Sequence, residues 1–397
     1  MKVFNAKNGH GLNLKSEHFS DLSVLYEDFS FTLKDVLKEF SRSDILSALR
    51  QHRIDLPALI ALLSQEAGTE LEAMAKRASE QSLRQFGRTI QLFTPLYISN
   101  HCINRCVYCA FSSKNHLKRH KLSLSEIEKE AENIASTGLR QILVLTGDSP
   151  KFSSVAYIAD AIKILSKYFS SVGVEIYALS QDEYKQLADA GCDSLTIYQE
   201  TYNKSLYAKL HPAGPKKDYA FRLNAPERAA RAGFRSVNIG ALLGLGSWQE
   251  DVFMTAIHAE WLRQNFPHLE LGISLPRMRP CYEDTKEATG GDIDTFQVQV
   301  VSDRDFVQAL LALRLFLPEA GLSISTREEA SFRDNLISLG VTRMSAGVST
   351  AVGGHVVDTD DNIPQFEISD TRSVDEMVNS ILKKGYQPVF NDWFGRY

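Results

Sequence analysis

The sequence predicts an α/β protein built on a parallel (β/α)8 barrel, with a helical extension before it and a tail after it. Three observations carry that expectation. From Leu92 onward, short and often β-branched apolar runs alternate eight times with amphipathic stretches, as in a parallel sheet whose crossovers are helices. Residues 1–90 contain no such run and instead space their apolar residues at three- and four-residue steps. The chain is 397 residues long, with 44% hydrophobic and 23% charged residues, which is ordinary for a globular protein able to bury a large core.

In chain order, "TLKDVLKEFSRSDILSALRQ" and "LPALIALLSQEAGTELEAMAKRASEQSLRQFG" give the lead-in helices. The strands are "LFTPLYIS", "QILVLT", "VGVEIYAL", "DSLTIYQE", "SVNIGAL", "LELGISLP", "LSISTR" and "VTRMSAG". Amphipathic segments such as "SLSEIEKEAENIAST", "QDEYKQLADAG" and "DRDFVQALLALRLFLPE" separate them. After Gly347 the pattern becomes a long loop, one helix and a closing segment. The expected division is therefore 1–90 as the helical extension, 91–346 as the barrel and 347–397 as a tail closing it. In a barrel of this kind chemistry sits at the C-terminal ends of the strands.

Composition narrows the function classes. A net charge of -5 and the lack of a basic stripe argue against a nucleic-acid binder. The sole basic run, "KNHLKRHKL", reads as a solvated loop first and an anion contact second. The opening segment has no apolar signal-peptide centre, and no apolar run reaches the roughly 18 residues of a membrane span, so a cytoplasmic protein is expected. Five cysteines, an odd number with three crowded together, suit a reducing compartment and a metal site.

Those three, Cys102, Cys106 and Cys109, lie in "SNHCINRCVYCAF" with C-x₃-C-x₂-C spacing. A structural zinc would need a fourth ligand from His101 or His116, without the second cysteine knuckle that usually accompanies it. An iron–sulfur cube takes four ligands, so a local trio leaves one iron for a small molecule to chelate. Ordinary core thiols do not cluster on a loop after the first strand. Cys192 and Cys281 have no cysteine neighbour and read as plain thiols, and His258 and Trp261 read as packing residues on a barrel helix.

The trio, with Tyr108 before its last cysteine and a barrel around it, resembles the radical S-adenosylmethionine (SAM) superfamily. The further segments "LVLTGD", "IYQETYN", "LHPAGPKKDYAFRLNAPERAARAGF", "NIGALLGLG", "LPRMRP", "STREEASFRDN", "MSAGVST" and "PVFNDW" resemble the tyrosine lyases of thiamine biosynthesis. The resemblance implies that Cys102, Cys106 and Cys109 hold one [4Fe–4S] cluster, whose open iron binds the amino and carboxylate groups of SAM. It implies a SAM site from Tyr108, from Thr146, Gly147 and Asp148, from Glu200 and Arg222, and from Gly240 and Gly244. The family usually has Glu where this chain has Asp148. Arg327 and Ser345, at the ends of strands seven and eight, are expected to hold the amino-acid end of L-tyrosine, and one of Arg277 and Arg279 is expected to face inward.

The implied reaction is reductive cleavage of SAM to methionine and a 5′-deoxyadenosyl radical, hydrogen abstraction from the tyrosine amino group, and Cα–Cβ scission to 2-iminoacetate and p-cresol. Implied partners are a low-potential electron donor and the thiazole synthase ThiG, which would receive the water-sensitive product. The related lyase of hydrogenase maturation needs C-terminal cysteines for a second cluster, and none follows Cys281. A lyase acting on tryptophan, and a non-catalytic cluster scaffold, stay open at this level.

Overall fold

A computed structural model describes residue 33 and residues 35–278, 298–357 and 363–391. The expectations for Arg279, Cys281, the first 32 residues and "DW" of "PVFNDW" lie outside these described residues. Eight parallel strands follow in order: β1 Thr89–Ser99, β2 Gln141–Thr146, β3 Ser171–Glu175, β4 Ser194–Glu200, β5 Ser236–Ala241, β6 Glu270–Ser274, β7 Gly321–Ile324 and β8 Arg343–Ser345. Each pairs with the next, and β1 pairs with both β2 and β8, so the sheet closes into a barrel. All eight predicted strands are present.

A ninth strand, β9 Gln387–Val389, pairs in parallel with Thr89–Gln91 of β1. Sequence reading leaves it as a closing segment, because three residues with a central proline carry no strand signal of their own. Its partner supplies the order.

Alternation along each strand sorts the side chains into two layers. Leu92, Leu96 and Ile98 of β1, Val172 and Val174 of β3, and Val237 and Ile239 of β5 join the large buried cluster between sheet and helices. Facing inward are Ser194, Thr196 and Tyr198 of β4, Asn238 of β5, Ser274 of β6, Ser323 of β7 and Arg343 of β8, which line a small cavity of about 50 Å³ in the barrel interior. Branched aliphatic residues usually fill that space. Here Asn238 donates to Ser274 Oγ at 2.9 Å, and the Arg343 guanidinium lies 4.5 Å from the centre of the Phe93 ring.

Helix starts follow local chemistry. Ser123 with Glu126, Ser180 with Glu183, Ser302 with Asp305 and Ser373 with Glu376 form reciprocal capping boxes, each satisfying two donors that a helix start otherwise leaves bare. The lead-in helices Leu56–Leu63 and Leu71–Phe86 pack on the barrel helix Asp303–Phe316. Gln308 fixes the contact by donating to the carbonyls of Leu62 and Ser64. No described helix is long and apolar enough to cross a membrane.

Candidate active site

The cysteine loop leaves β1 at Ser99 and returns beside it through a bridge between Ser99 and Lys121. Its shape is held mainly by one side chain. Arg119 donates to the carbonyls of Asn100 and Phe111 from Nη1, at 2.7 and 2.8 Å, and to Ser112 from Nη2 at 2.7 Å. The basic run is therefore only partly a solvated loop: Lys114, His116, Lys118 and Lys121 are exposed, but Arg119 turns inward as a hub. Asn115 adds a bond to the Ala110 carbonyl at 2.8 Å.

Cys102, Cys106 and Cys109 all carry free thiols. Burial pushes the Cys102 thiol up to about 12, with Asp148 and Cys109 adding to it, and raises Cys106 and Cys109 as well. The charge of Lys216 opposes that rise at Cys106 and Cys109. Backbone N–H groups of Asn104 and Asp148 point at Cys102, while the Phe111 N–H and Gln365 Nε2 point at Cys109. Such donors stabilise sulfur that carries negative charge, which these thiols would do once metal displaces their protons. Among the described residues no three His, Cys, Asp or Glu side chains gather tightly enough for a single ion. Three thiols on one loop beside an open cavity fit a cluster with one iron left for a chelating ligand.

The "TGD" turn after β2 packs on this loop. Gly147 N donates to the Ser99 carbonyl at 2.9 Å, and a Cβ on Gly147 would lie 2.4 Å from the His101 carbonyl oxygen, so only glycine fits. Asp148 accepts from Asn104 Nδ2 at 2.6 Å, which makes its carboxylate a brace for the cysteine loop. Thr146 Oγ1 is buried with no hydrogen-bond partner among the described residues.

At the end of β4 a register shift between Tyr198 and Glu200 re-aims the chain. Glu200 has φ 71°, the one positive value at a described non-glycine residue, a conformation costing about 1–3 kcal/mol that marks functional sites. Its carboxylate meets Lys216 at 2.6 Å and Arg222 at 3.6 Å. Burial alone would raise the Glu200 carboxyl, but those two cations hold it below the ordinary range. Arg222 also donates to the Tyr198 carbonyl at 2.7 Å. Tyr108 is fixed by His211. Burial and Lys216 hold that imidazole down at about 3, so it is neutral. Its Nδ1 donates to the Tyr207 carbonyl, so Nε2 accepts from the Tyr108 hydroxyl at 2.8 Å.

Gly240 and Gly244 have local explanations. A Cβ on Gly240 would sit 1.8 Å from the Ser274 carbonyl oxygen across the β5–β6 pair. Gly244 has φ +108°, and a Cβ there would press on Gln299 and Met278. Neither glycine lines the mouth cavity.

That cavity, of about 150 Å³, opens at the C-terminal ends of the strands and joins the two halves of the site. Tyr108, Cys109, Glu200 and Lys216 line it on one side, and Arg327 and Ser345 on the other. The Arg327 guanidinium lies over Phe366, 3.4 Å from the ring centre, and has no ion-pair partner among the described residues. Ser345 Oγ is buried and without a hydrogen-bond partner there. Arg277 is committed elsewhere, to Glu328 and to Asp303. Cys192 donates to the Ser194 carbonyl, and buried His258 meets the Tyr202 hydroxyl at 2.9 Å.

Sequence reading missed Tyr97, Glu175, Tyr198, Lys216, Gln365 and Phe366, all of which line this cavity. The inward alternation of β1, β3 and β4 could have found the first three. Lys216 sits in a loop with no periodic signal, and Gln365 and Phe366 arrive from the tail.

Residues 96–256 match the family described as the Radical SAM superfamily, and residues 274–387 match the Biotin and Thiamin Synthesis associated domain. The 2-iminoacetate synthase of Salmonella typhimurium is 36% identical over 352 residues, covering 88% of this chain and 90% of that protein. The Escherichia coli 2-iminoacetate synthase shows the same identity and coverage. Among solved structures, the FeFe-hydrogenase maturase HydG from Carboxydothermus hydrogenoformans superposes with a TM-score of 0.82 at 29% identity, covering 93% of this chain and 84% of that one. A [4Fe–4S] cluster and SAM are the cofactors that go with such a barrel and cysteine loop. The chain belongs to the radical SAM superfamily and, within it, to the 2-iminoacetate synthase family.

Proposed function

We propose that this enzyme cleaves the Cα–Cβ bond of L-tyrosine to 2-iminoacetate and p-cresol for thiazole formation in thiamine biosynthesis. The observation that carries the reading is a cation and a hydroxyl left unpartnered in one cavity with Cys109. Arg327 and Ser345 face a space in which Glu200, the charged lining residue argued for SAM, is already engaged by Lys216 and Arg222. An α-amino acid offers the carboxylate that a guanidinium grips two-pronged and the amine that a hydroxyl can hold.

Cys102, Cys106 and Cys109 would hold the cluster. Tyr108, the Thr146–Asp148 turn, Glu200, Arg222 and the segment from Gly240 to Gly244 would surround SAM. Bound there, the two cofactors supply the electron and the hydrogen-abstracting radical. The chain's own part is placement. Arg327 fixes the carboxylate, Ser345 keeps the amine on the SAM side of the cavity, and the tail residues Gln365 and Phe366 cover the mouth. The barrel over 91–346 would carry both ligands and the tail over 347–397 would close it. The reading brings with it a reducing, cytoplasmic setting, a low-potential electron donor, and handover of 2-iminoacetate to the thiazole synthase ThiG.

Anaerobic reconstitution with SAM, a chemical reductant and tyrosine tests the proposal. The expected products are p-cresol and 5′-deoxyadenosine, with no indole-derived product when tryptophan replaces tyrosine. SAM cleavage without p-cresol, or turnover of tryptophan in preference, overturns it.

A further inference from the structure

A third unpartnered group faces the mouth cavity, and it is a carboxylate. Glu175 ends β3. Val172 and Val174 point out to the helices, while a Cβ on Gly173 would meet Ser194 Oγ and Leu143 inside the barrel. Period-two alternation therefore turns Glu175 inward, and it lines the cavity with Tyr97, Tyr198 and Arg327. Among the described residues it makes no hydrogen bond and no ion pair, although Glu200, Arg327, Arg222 and Lys216 act on it through their charges. Burial pushes its carboxyl up to about 7, with Glu200 adding to the rise and the three cations opposing it. A half-buried carboxylate turned into a cavity without a partner is costly.

Topology gives the occupant. In the closed eight-stranded barrel β3 lies four strands from β7, so Glu175 from β3 and Arg327 from the loop after β7 reach one cavity from different sides of the mouth. An amino acid whose carboxylate is on Arg327 can turn its side chain toward β3. The same cavity is walled by Phe93, Pro95, Leu143 and Leu145, which suit the faces of an aromatic ring. We propose that Glu175 accepts the hydrogen bond of the substrate's phenolic hydroxyl and takes its proton as the Cα–Cβ bond breaks. The phenolic O–H bond breaks while a carboxyl O–H bond forms. Cα–Cβ homolysis leaves 2-iminoacetate and a 4-oxidobenzyl radical, which takes one electron from the low-potential donor and one proton from solvent at its methylene carbon. Glu175 returns its own proton to the phenolate oxygen, so p-cresol is complete and the residue ends as it began. A carboxyl poised near neutrality is suited to such a loan. This inference rests on the tyrosine reading above.

Two substitutions separate its parts. Glu175→Leu removes the acceptor, and Glu175→Gln keeps an acceptor of the same shape but cannot take the proton. Binding is measured by equilibrium dialysis on reconstituted enzyme with SAM and without reductant, using L-tyrosine and L-phenylalanine. The unsubstituted enzyme is expected to prefer tyrosine at least tenfold, because a site built for a hydroxyl rejects the analogue lacking it. In Glu175→Leu the tyrosine affinity should fall at least tenfold and phenylalanine should change less than about threefold. In Glu175→Gln tyrosine affinity should stay within about threefold, while p-cresol per 5′-deoxyadenosine falls at least tenfold. Equal loss of tyrosine and phenylalanine in the leucine variant would mean that Glu175 holds the α-ammonium, and would overturn the proposal. Full p-cresol yield in the glutamine variant would overturn the proton transfer. If the unsubstituted enzyme makes p-cresol and the variants match it in both measurements, the inference fails while the tyrosine reading stands. If it makes none, both fail.

Discussion

Arg277 and Arg327 leave adjacent strands at the same rim, and their company decides which can serve a ligand. Arg277 spends its guanidinium on Glu328 and Asp303, and these bonds raise its proton affinity against the opposing effect of burial. Arg327 has only an aromatic face beneath it, and burial lowers its proton affinity. A charge-assisted hydrogen bond contributes about 1.5–3 kcal/mol, so Arg327→Ala should weaken tyrosine binding at least tenfold. Loss of placement should show as well. An amine no longer held against the SAM side leaves 5′-deoxyadenosine outrunning p-cresol, whereas Arg222→Ala should lower both products together. An unchanged product ratio and normal affinity in Arg327→Ala would move the carboxylate to another residue.

Two elements carry the site, and each is bent where the chemistry begins. Register shifts fall between Tyr97 and Ser99 in β1 and between Tyr198 and Glu200 in β4. One launches the cysteine loop and the other turns Glu200 into the cavity. The eight strands and the cysteine trio were legible because they rest on local signals, namely alternating runs and thiol spacing. Arg119 was not, because its value lies in three carbonyls that converge only after the loop has folded. Lys216 was hidden for the same reason, its partner Glu200 lying 16 residues away. Alternation did hold the signal for Glu175, where one acid sits at an inward position of an otherwise apolar strand. Removing the hub in Arg119→Ala strips a shared donor from carbonyls worth about 1 kcal/mol each. Reconstituted variant should therefore hold less than half the iron of the unsubstituted chain and lose it faster to a chelator, while far-UV circular dichroism stays unchanged. Full iron retention would show that the loop keeps its shape without Arg119.

At the scale of the whole molecule, the tail is part of the barrel. It adds β9 to β1, brings Gln365 and Phe366 to the wall of the mouth cavity, and is tied to β8 through Arg333. Arg333, buried on the helix Ala330–Leu336, donates to Asp370 of the tail and to the Ser345 carbonyl. Arg372 joins Asp370 to Asp334, at 2.7 and 2.9 Å. The Ser345 backbone and the tail thus share one buried cation. Burial would raise the Asp370 carboxyl, but Arg372 and Arg333 bring it from 3.8 down to about 2. A carboxyl depressed on folding stabilises the native state above its unfolded value, and the effect is lost as pH falls through the folded value. The clamp should therefore be fully present above about pH 4 and lost toward pH 2, a contribution of about 2 kcal/mol at 1.36 kcal/mol per pH unit. Asp370→Asn also leaves Arg333 without its counter-charge, so the variant should be less stable than the unsubstituted apoprotein by at least that amount at pH 7. Urea melts at pH 7, 4 and 2.5 check the sign: the gap between the two proteins should hold from pH 7 to 4 and narrow by pH 2.5. A gap independent of pH over that range would mean that Asp370 holds the tail by shape, with its charge contributing nothing.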